Sequence, residues 1–255
     1  MTRLAVTGAT GTMGSTVLEL AKDRADISVG LAISRSGTDK TVAGVAVRSA
    51  ETLPAGLGEE SIDVLVDFTG PDSSVEYVER AADAGVAAVV GTTGFTEAQR
   101  DRLRSAAERE PVLVAANFSR GVRALHAALE PVLERLAAYD IEVTETHHNR
   151  KRDAPSGTAT ELLETIETSR ESKTRVHGRV GEQPRQAGEI GVHARRAGTI
   201  AGEHEILLAG DGEALTLTHR AESRAVFAAG ALDAAVWLEG RESGWYSFEE
   251  VLTSP

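Results

Sequence analysis

The sequence has no cysteine, which excludes disulfides and thiolate metal sites. No window resembles a transmembrane span. The opening MTRLAVTGATG runs at once into a strand and turn, unlike a signal peptide. A cytoplasmic protein with no membrane partner is the expectation. Positive charge is in short supply: 27 lysines and arginines face 39 aspartates and glutamates, a net charge of −12. General nucleic-acid binding is therefore excluded, because nothing offsets phosphate repulsion. Lysine is scarcer still, present only as Lys22, Lys40, Lys151 and Lys173. This balance fits a salt-adapted cytoplasm and, equally, an arginine-rich, high-GC genome.

At 255 residues the chain can bury a large core in one or two domains. Its first half alternates short apolar runs with helical patterns. Strands are predicted at Arg3–Gly8, Ile27–Ser34, Ser61–Thr69, Val86–Gly94 and Pro111–Ser119. Helices are predicted at Gly14–Asp23, after Pro71, and from about Thr96 to Glu110. Nearly continuous apolar strands alternating with helices indicate a parallel sheet covered on both faces. The second half differs. A long amphipathic helix over Arg120–Ala138 precedes a strand, Asp140–His148, and a helix opening at Ser-Gly-Thr. Three alternating runs near Glu189–Arg196, Thr199–Leu208 and Ala214–Arg220 read as antiparallel strands. A final helix, Arg224–Gly240, is apolar on most faces and should be buried. The expected fold is α/β: a Rossmann-like doubly wound parallel sheet, with a second α+β domain carrying a mostly antiparallel sheet. The predicted division is residues 1–119 completed by 224–255, and residues 120–223.

GATGTMG (Gly8–Gly14) directly follows the first strand and opens the first helix. A doubly wound sheet places a pyrophosphate there, on free amides at a helix N-terminus, and glycines let the backbone approach. The spacing is GxxGxxG rather than GxGxxG, and a tight turn without ligand remains a second reading. The end of the second strand, where a carboxylate usually binds the adenosine ribose, reads Ser34-Arg35-Ser36. No carboxylate there repels a 2′-phosphate, and Arg35 can pair with one. NADPH is thus favoured and NADH possible; a solvated Arg35 is the bland alternative. DFTGP (Asp67–Pro71) and GTTGF (Gly91–Phe95) put small and hydroxylated residues at strand ends that face the ligand crevice.

ETHHNRKRDAPSGTA (Glu145–Ala159) gathers the rarest chemistry of this acidic chain. On a strand His147 and His148 point to opposite faces. Lys151 follows in a loop. Pro155 biases the chain towards a helix start. Ser156 and Thr158 offer hydroxyls, and the amides of Gly157 and Thr158 would open the helix, a good seat for a carboxylate. Metal binding is a poor rival, since adjacent histidines rarely converge and no other ligand spacing occurs. Arg150 and Arg152 read as surface or oligomer contacts.

With these residues in view the chain resembles one family, 4-hydroxy-tetrahydrodipicolinate (dihydrodipicolinate) reductase. The matching segments are VTGATGTMG, DFT, GTTGF, AANFS, HHNRKRDAPSGTA, RAGTIAGEHE and HRAESRAVFAAGAL, in order along nearly the whole chain. The resemblance implies reduction of 4-hydroxy-tetrahydrodipicolinate, by way of dihydrodipicolinate, to tetrahydrodipicolinate in the diaminopimelate route to lysine. It implies that His147 and Lys151 are the catalytic proton carriers. His148, Ser156, Gly157 and Thr158 would contact the dicarboxylate substrate. Gly8, Ala9, Thr10, Gly11, Thr12 and Met13 would hold the pyrophosphate, and Ser34 and Arg35 the adenosine end. Phe68, Thr69, Gly91, Thr92, Thr93, Ala115, Ala116, Asn117 and Phe118 would flank the nicotinamide. No metal is implied. The first domain would bind dinucleotide, the second would bind substrate and oligomerise, and a homotetramer is expected. Thr12 stands where family members commonly carry arginine, and Ser34 where an acidic residue often accepts the ribose.

Hydride addition to a carbon–nitrogen double bond requires a proton at nitrogen. An ammonium or an imidazolium can supply it, and the residues leave open which of His147 and Lys151 does so. Domain closure, with hinges near Ser119–Arg120 and Glu222–Arg224, is expected to align donor and acceptor. Another nicotinamide oxidoreductase of the same architecture, such as an amino-acid dehydrogenase, would have no need of the Ser-Gly-Thr segment. A short-chain dehydrogenase needs Tyr-x-x-x-Lys, and none of Tyr77, Tyr139 and Tyr246 has a lysine four residues on. A non-catalytic NADPH sensor would be expected to lack His147 or Lys151.

Overall fold

The structure is a computed structural model that describes residues 1–37, 40–170 and 174–253; Lys173 lies outside them. The chain divides into two compact units, Met1–Phe118 with Arg224–Pro255, and Ser119–Ser223.

The first unit opens with β1 (Thr2–Thr7), α1 (Thr12–Ala21) and β2 (Ile27–Ser34). A short hairpin, β3 (Thr41–Val42) and β4 (Val45–Ser49), leads to α2 (Leu53–Glu59). Then β5 (Val64–Asp67), α3 (Pro71–Asp83), β6 (Ala87–Val90), α4 (Glu97–Ala107) and β7 (Pro111–Val114) alternate. Every residue of β5 and β6 is buried, as strands covered on both faces must be. Side chains of β1 alternate between two cores. Leu4 and Val6 join Val17 and Leu18 of α1, whereas Ala5 joins Val75 and Val78 of α3 and Leu103 of α4. Helices therefore cover both faces of one sheet. Pro71 occupies the first turn of α3, and α4 starts with a reciprocal cap between Thr96 and Gln99.

The second unit contains α5 (Arg120–Arg135), β8 (Asp140–His147), α6 (Gly157–Ser169), β9 (Thr174–His177), β10 (Glu189–Arg196), β11 (Gly202–Gly210) and β12 (Glu213–Ala221). Its five strands run in the order β12-β11-β8-β10-β9. Leu125, Leu129 and Leu133 of α5 and Leu162, Leu163 and Ile166 of α6 pack on Ile141, Val143, Ile190, Val192, Ile206 and Leu208. Both helices thus cover the same sheet face.

The chain then returns to the first unit through α7 (Ala225–Leu238), β13 (Gly244–Tyr246) and α8 (Phe248–Thr253). The sheet of the first unit has the order β13-β7-β6-β5-β1-β2-β4-β3. Its pairings are parallel except for the β3–β4 hairpin. The order of winding reverses at β1, which lies between β2 and β5, and the crevice beyond that switch point is the ligand site of open α/β sheets.

Three expectations need correction. The first helix begins at Thr12 rather than Gly14, because Gly11 adopts an extended conformation as its N-cap. The second sheet is mixed rather than mostly antiparallel. β11 is antiparallel to β8 and β12, but β10 runs parallel to both β8 and β9. Alternation reveals which face of a strand is buried, not its direction; α6 supplies the crossover that a parallel partner of β8 needs. The β3–β4 hairpin, α2, β9, β13 and α8 lie outside the predicted elements, being short segments with little periodicity.

Gly230 seats α7 on the chain leaving β7. A Cβ at this position would stand 1.9 Å from the carbonyl oxygen of Phe118. Gly230→Ala is expected to destabilise the protein by about 1–3 kcal/mol, as overpacking does, measured by urea unfolding.

Candidate active site

In the first unit the chain turns sharply after β1. Gly8 has a φ of +75°, and a Cβ there would lie 2.6 Å from the carbonyl oxygen of Phe68. Gly14 crosses the same turn, with its Cβ position 2.2 Å from the Gly8 oxygen. The Gly11 amide donates to Gly8 O at 2.8 Å, and that of Ala9 to Ile33 O at 2.9 Å. Gly11 caps α1 without any side-chain bond, so Thr12 and Met13 form an open first turn whose amides lack intrahelical acceptors. Such a terminus favours anions.

Two cavities flank this turn. One, of about 490 Å³, is lined by Thr10, Ser34, Arg35 and Lys40 among others. Lys40, directly before β3, is a second cation on this lining and is absent from the predicted set. The other, of about 280 Å³, joins Met13 to Phe68, Thr69, Gly91, Thr92 and Thr93. Beneath it lies Asp67, fully buried. Thr7 Oγ1 and Thr69 Oγ1 donate to its Oδ1 at 2.6 and 2.7 Å, and Thr92 Oγ1 donates to Oδ2 at 2.7 Å. One carboxylate thus fastens the ends of β1, β5 and β6. Ala115, whose amide donates to Val90 O at 3.1 Å, continues beside β6. Ala116 is exposed and Asn117 buried. The ring of Phe118 is core, edge-on to Phe68 at 6.0 Å and to Phe248 at 5.2 Å.

In the second unit the end of β8 carries the histidines. His147 points inward and is 9 % exposed, whereas His148 is half-buried. Glu145, two residues earlier on the same face, is 1 % exposed. His147 Nδ1 lies 2.6 Å from Glu145 Oε2. Arg196 of β10 donates to both carboxylate oxygens at 2.8 and 2.6 Å, and the Ser156 amide donates to Oε1 at 3.1 Å. Burial alone would raise the Glu145 carboxyl; the hydrogen bonds from His147 and Arg196 outweigh it and hold it at about 2.

Ser156 caps α6, its Oγ accepting from the Ala159 amide at 3.2 Å. Exposed Gly157 and buried Thr158 are then the first helical residues. His204 lies 3.2 Å from Ser156 Oγ and edge-on to His147 at 5.2 Å. Strand register explains the cluster: His204 is directly opposite Glu145 across β8–β11, and His219 is opposite His204 across β11–β12. Burial, helped by the nearby His147 and His219, pushes His204 down to about 3, and burial lowers His219 too. Lys151 is paired at 2.8 Å with Asp153. The Asp153 carboxyl, though raised by burial, is brought below its ordinary value by Lys151. Among the described residues, no three His, Asp or Glu side chains form a group able to hold a metal ion.

Glu145, Asp153, Arg196 and His204 are absent from the predicted set. Period-two spacing could have placed Glu145 beside His147, and His204 with Ile206 and Leu208. Arg196 is adjacent only through strand register, which one sequence does not reveal.

Two family models match the chain: the N-terminal part of dihydrodipicolinate reductase over residues 2–118 and its C-terminal part over residues 121–252. The chain belongs to the dihydrodipicolinate reductase family. A protein named 4-hydroxy-tetrahydrodipicolinate reductase from Natronomonas pharaonis is 51 % identical over 249 residues, 97 % of this chain and 98 % of that one. Its namesake from Haloarcula marismortui is 50 % identical over 99 % of both chains. A solved dipicolinate-bound dihydrodipicolinate reductase from Paenisporosarcina sp. TG-14 superposes with a TM-score of 0.76 at 25 % identity, covering 97 % of each chain. An engineered D-amino acid dehydrogenase bound to NADP⁺ shares the fold, with a TM-score of 0.58 at 14 % identity, over all of this chain and 96 % of that one.

Buried His204 and half-buried His126 set an acid limit for the second unit. His204 is held near 3 and His126, by burial and Arg123, near 4, against an ordinary 6.5. The unfolded chain therefore takes up protons that the folded chain refuses, and stability falls as pH drops from about 6.5 towards 3. His204→Asn is expected to show a shallower loss in that window, read from urea unfolding at a series of pH values.

Proposed function

We propose that the chain reduces 4-hydroxy-tetrahydrodipicolinate, via dihydrodipicolinate, to tetrahydrodipicolinate in the diaminopimelate route of lysine biosynthesis, with NADPH favoured over NADH. One observation carries the chemistry. The buried imidazole of His147 and the start of α6 share the carboxylate of Glu145. A titratable ring is thereby tied to a helix N-terminus suited to a carboxylate, with Lys151 on the loop between them. Family membership across both halves supports the same reading.

The first unit has features that fit a reduced dinucleotide. The open turn at Thr12 and Met13 suits a pyrophosphate, and Cβ atoms at Gly8 or Gly14 would overlap backbone. The cavity beside Arg35 and Lys40 offers two cations and, among its lining residues, no carboxylate, which favours a 2′-phosphate. When bound, the nicotinamide supplies the hydride. Gly91, Thr92 and Thr93, with Met13 and Phe68, would border it; Asp67 keeps that border rigid.

The second unit supplies the proton and the grip on the dicarboxylate. His147 or Lys151 protonates the ring nitrogen as it gains electron density. His148, Ser156, Gly157 and Thr158 receive carboxylates, each charge-assisted hydrogen bond contributing about 1.5–3 kcal/mol. Asp153 holds Lys151 until an anion competes for it. Reduction requires the groups of both units to converge, so approach of the two units is part of turnover. The helix-free face of the five-stranded sheet, bearing Thr144 and Leu207, is where second copies would pair in a homotetramer. A cytoplasmic location is part of the same reading; among the described residues no helix is long and apolar enough to cross a membrane.

An assay of NADPH oxidation with synthase-generated substrate tests the activity. His147→Gln and Lys151→Ala should each lower turnover by about 10²–10⁴, the usual share of general acid catalysis, with NADPH binding near normal. Equal loss of cofactor affinity would contradict the assignment. Arg35→Ala should raise KM for NADPH about tenfold, the worth of one charge-assisted bond, and leave KM for NADH nearly unchanged; equal effects would remove the 2′-phosphate role.

A further inference from the structure

Glu145 is buried yet ionised, and its donors converge from three elements: His147 on its own strand, Arg196 on β10 and the Ser156 amide at the start of α6. The two guanidinium bonds and the amide bond act beside the ring's own bond to keep it charged. A carboxylate only accepts. The imidazole nitrogen 2.6 Å from it must therefore carry a hydrogen in the neutral ring, which fixes the Nδ1–H tautomer and leaves Nε2 with the lone pair. On the Nε2 side stands Gly202 of β11, where a Cβ would come within 3.1 Å of that nitrogen. Glycine puts no side chain against that nitrogen. His204, the other ring against His147, is 2 % exposed and remains neutral.

We propose that Glu145 is a positioning residue that locks His147 as its Nδ1–H tautomer, so that Nε2 is the nitrogen that exchanges the proton, with Arg196 keeping Glu145 charged. The proposal rests on the reductase reading for its consequence in turnover, but the tautomer is observable without substrate. In the proton-transfer step the imidazolium Nε2–H bond breaks and the ring nitrogen of the substrate gains the proton. The neutral imidazole that remains keeps its hydrogen at Nδ1, against Glu145.

The test is nitrogen-15 NMR of the full-length, histidine-labelled protein at a pH where the His147 ring is neutral, with the signal assigned by its loss in His147→Gln. The expected wild-type state is Nδ1–H. Glu145→Gln should shift it to a mixture or to Nε2–H and lower kcat by about 10- to 100-fold, less than the roughly 10²–10⁴ of losing the general acid itself, with KM for NADPH nearly unchanged. Arg196→Lys retains the carboxylate and one cation, and should keep the Nδ1–H tautomer and most of kcat. A wild-type Nε2–H ring overturns the proposal even if Glu145→Gln fails to fold, and so does a tautomer that Glu145→Gln leaves unchanged. Wild-type protein with the expected tautomer but no NADPH oxidation would instead sink the reductase reading and leave the positioning result standing.

Discussion

The second unit is organised around one ionised carboxylate that water does not reach. An isolated buried charge costs several kcal/mol, and removing a partner from a buried pair costs about 3–5 kcal/mol. Glu145 is tolerable only because β8, β10 and the start of α6 all bring donors to it. The requirement is mutual. Arg196 reaches Glu145 because β10 runs parallel to β8 and ends level with His147, and Ser156 reaches it because the loop after β8 folds back. Arg196 also donates to the Asp153 carbonyl at 2.6 Å, tying down the loop that bears Lys151. Sheet direction, loop path and the setting of the imidazole are thus consequences of satisfying one charge.

The first unit solves a related problem differently. Asp67 is also fully buried, but its donors are the hydroxyls of Thr7, Thr69 and Thr92, with no cation among them. Neutral donors make a brace of fixed shape and bring no positive charge near the cavity of Met13 and Phe68. Two cations, Arg35 and Lys40, line the separate cavity beyond β2. The two carboxylates therefore differ in their partners: three hydroxyls at Asp67, a guanidinium, an imidazole and a backbone amide at Glu145.

What a sequence discloses follows from how local each cause is. The β1 turn, α3 after Pro71, the apolar α7 and the Ser156-capped helix are legible because their signals lie within a few residues. Glu145 is half legible: the i, i+2 rule sets it beside His147, but nothing local says that the carboxylate is buried. Arg196, His204 and His219 join the cluster only through strand register, which aligns β10, β11 and β12 with β8 although the chain separates them widely. The direction of β10 is illegible for the same reason, since alternation is identical for parallel and antiparallel partners. Phe118 is legible as part of a motif but not as core: its ring packs between Phe68 and Phe248.

β8 is the middle strand of its sheet, bonded to β10 on one side and β11 on the other along nearly its whole length. The ladder continues past it, with Ala197 donating to His147 O and Asn149 to Gly198 O. A strand held on both edges is among the last segments of a domain to open. Thermal breathing is therefore expected first at the sheet margins, β9 and β12, while the His147 ring rides on the strand held from both sides.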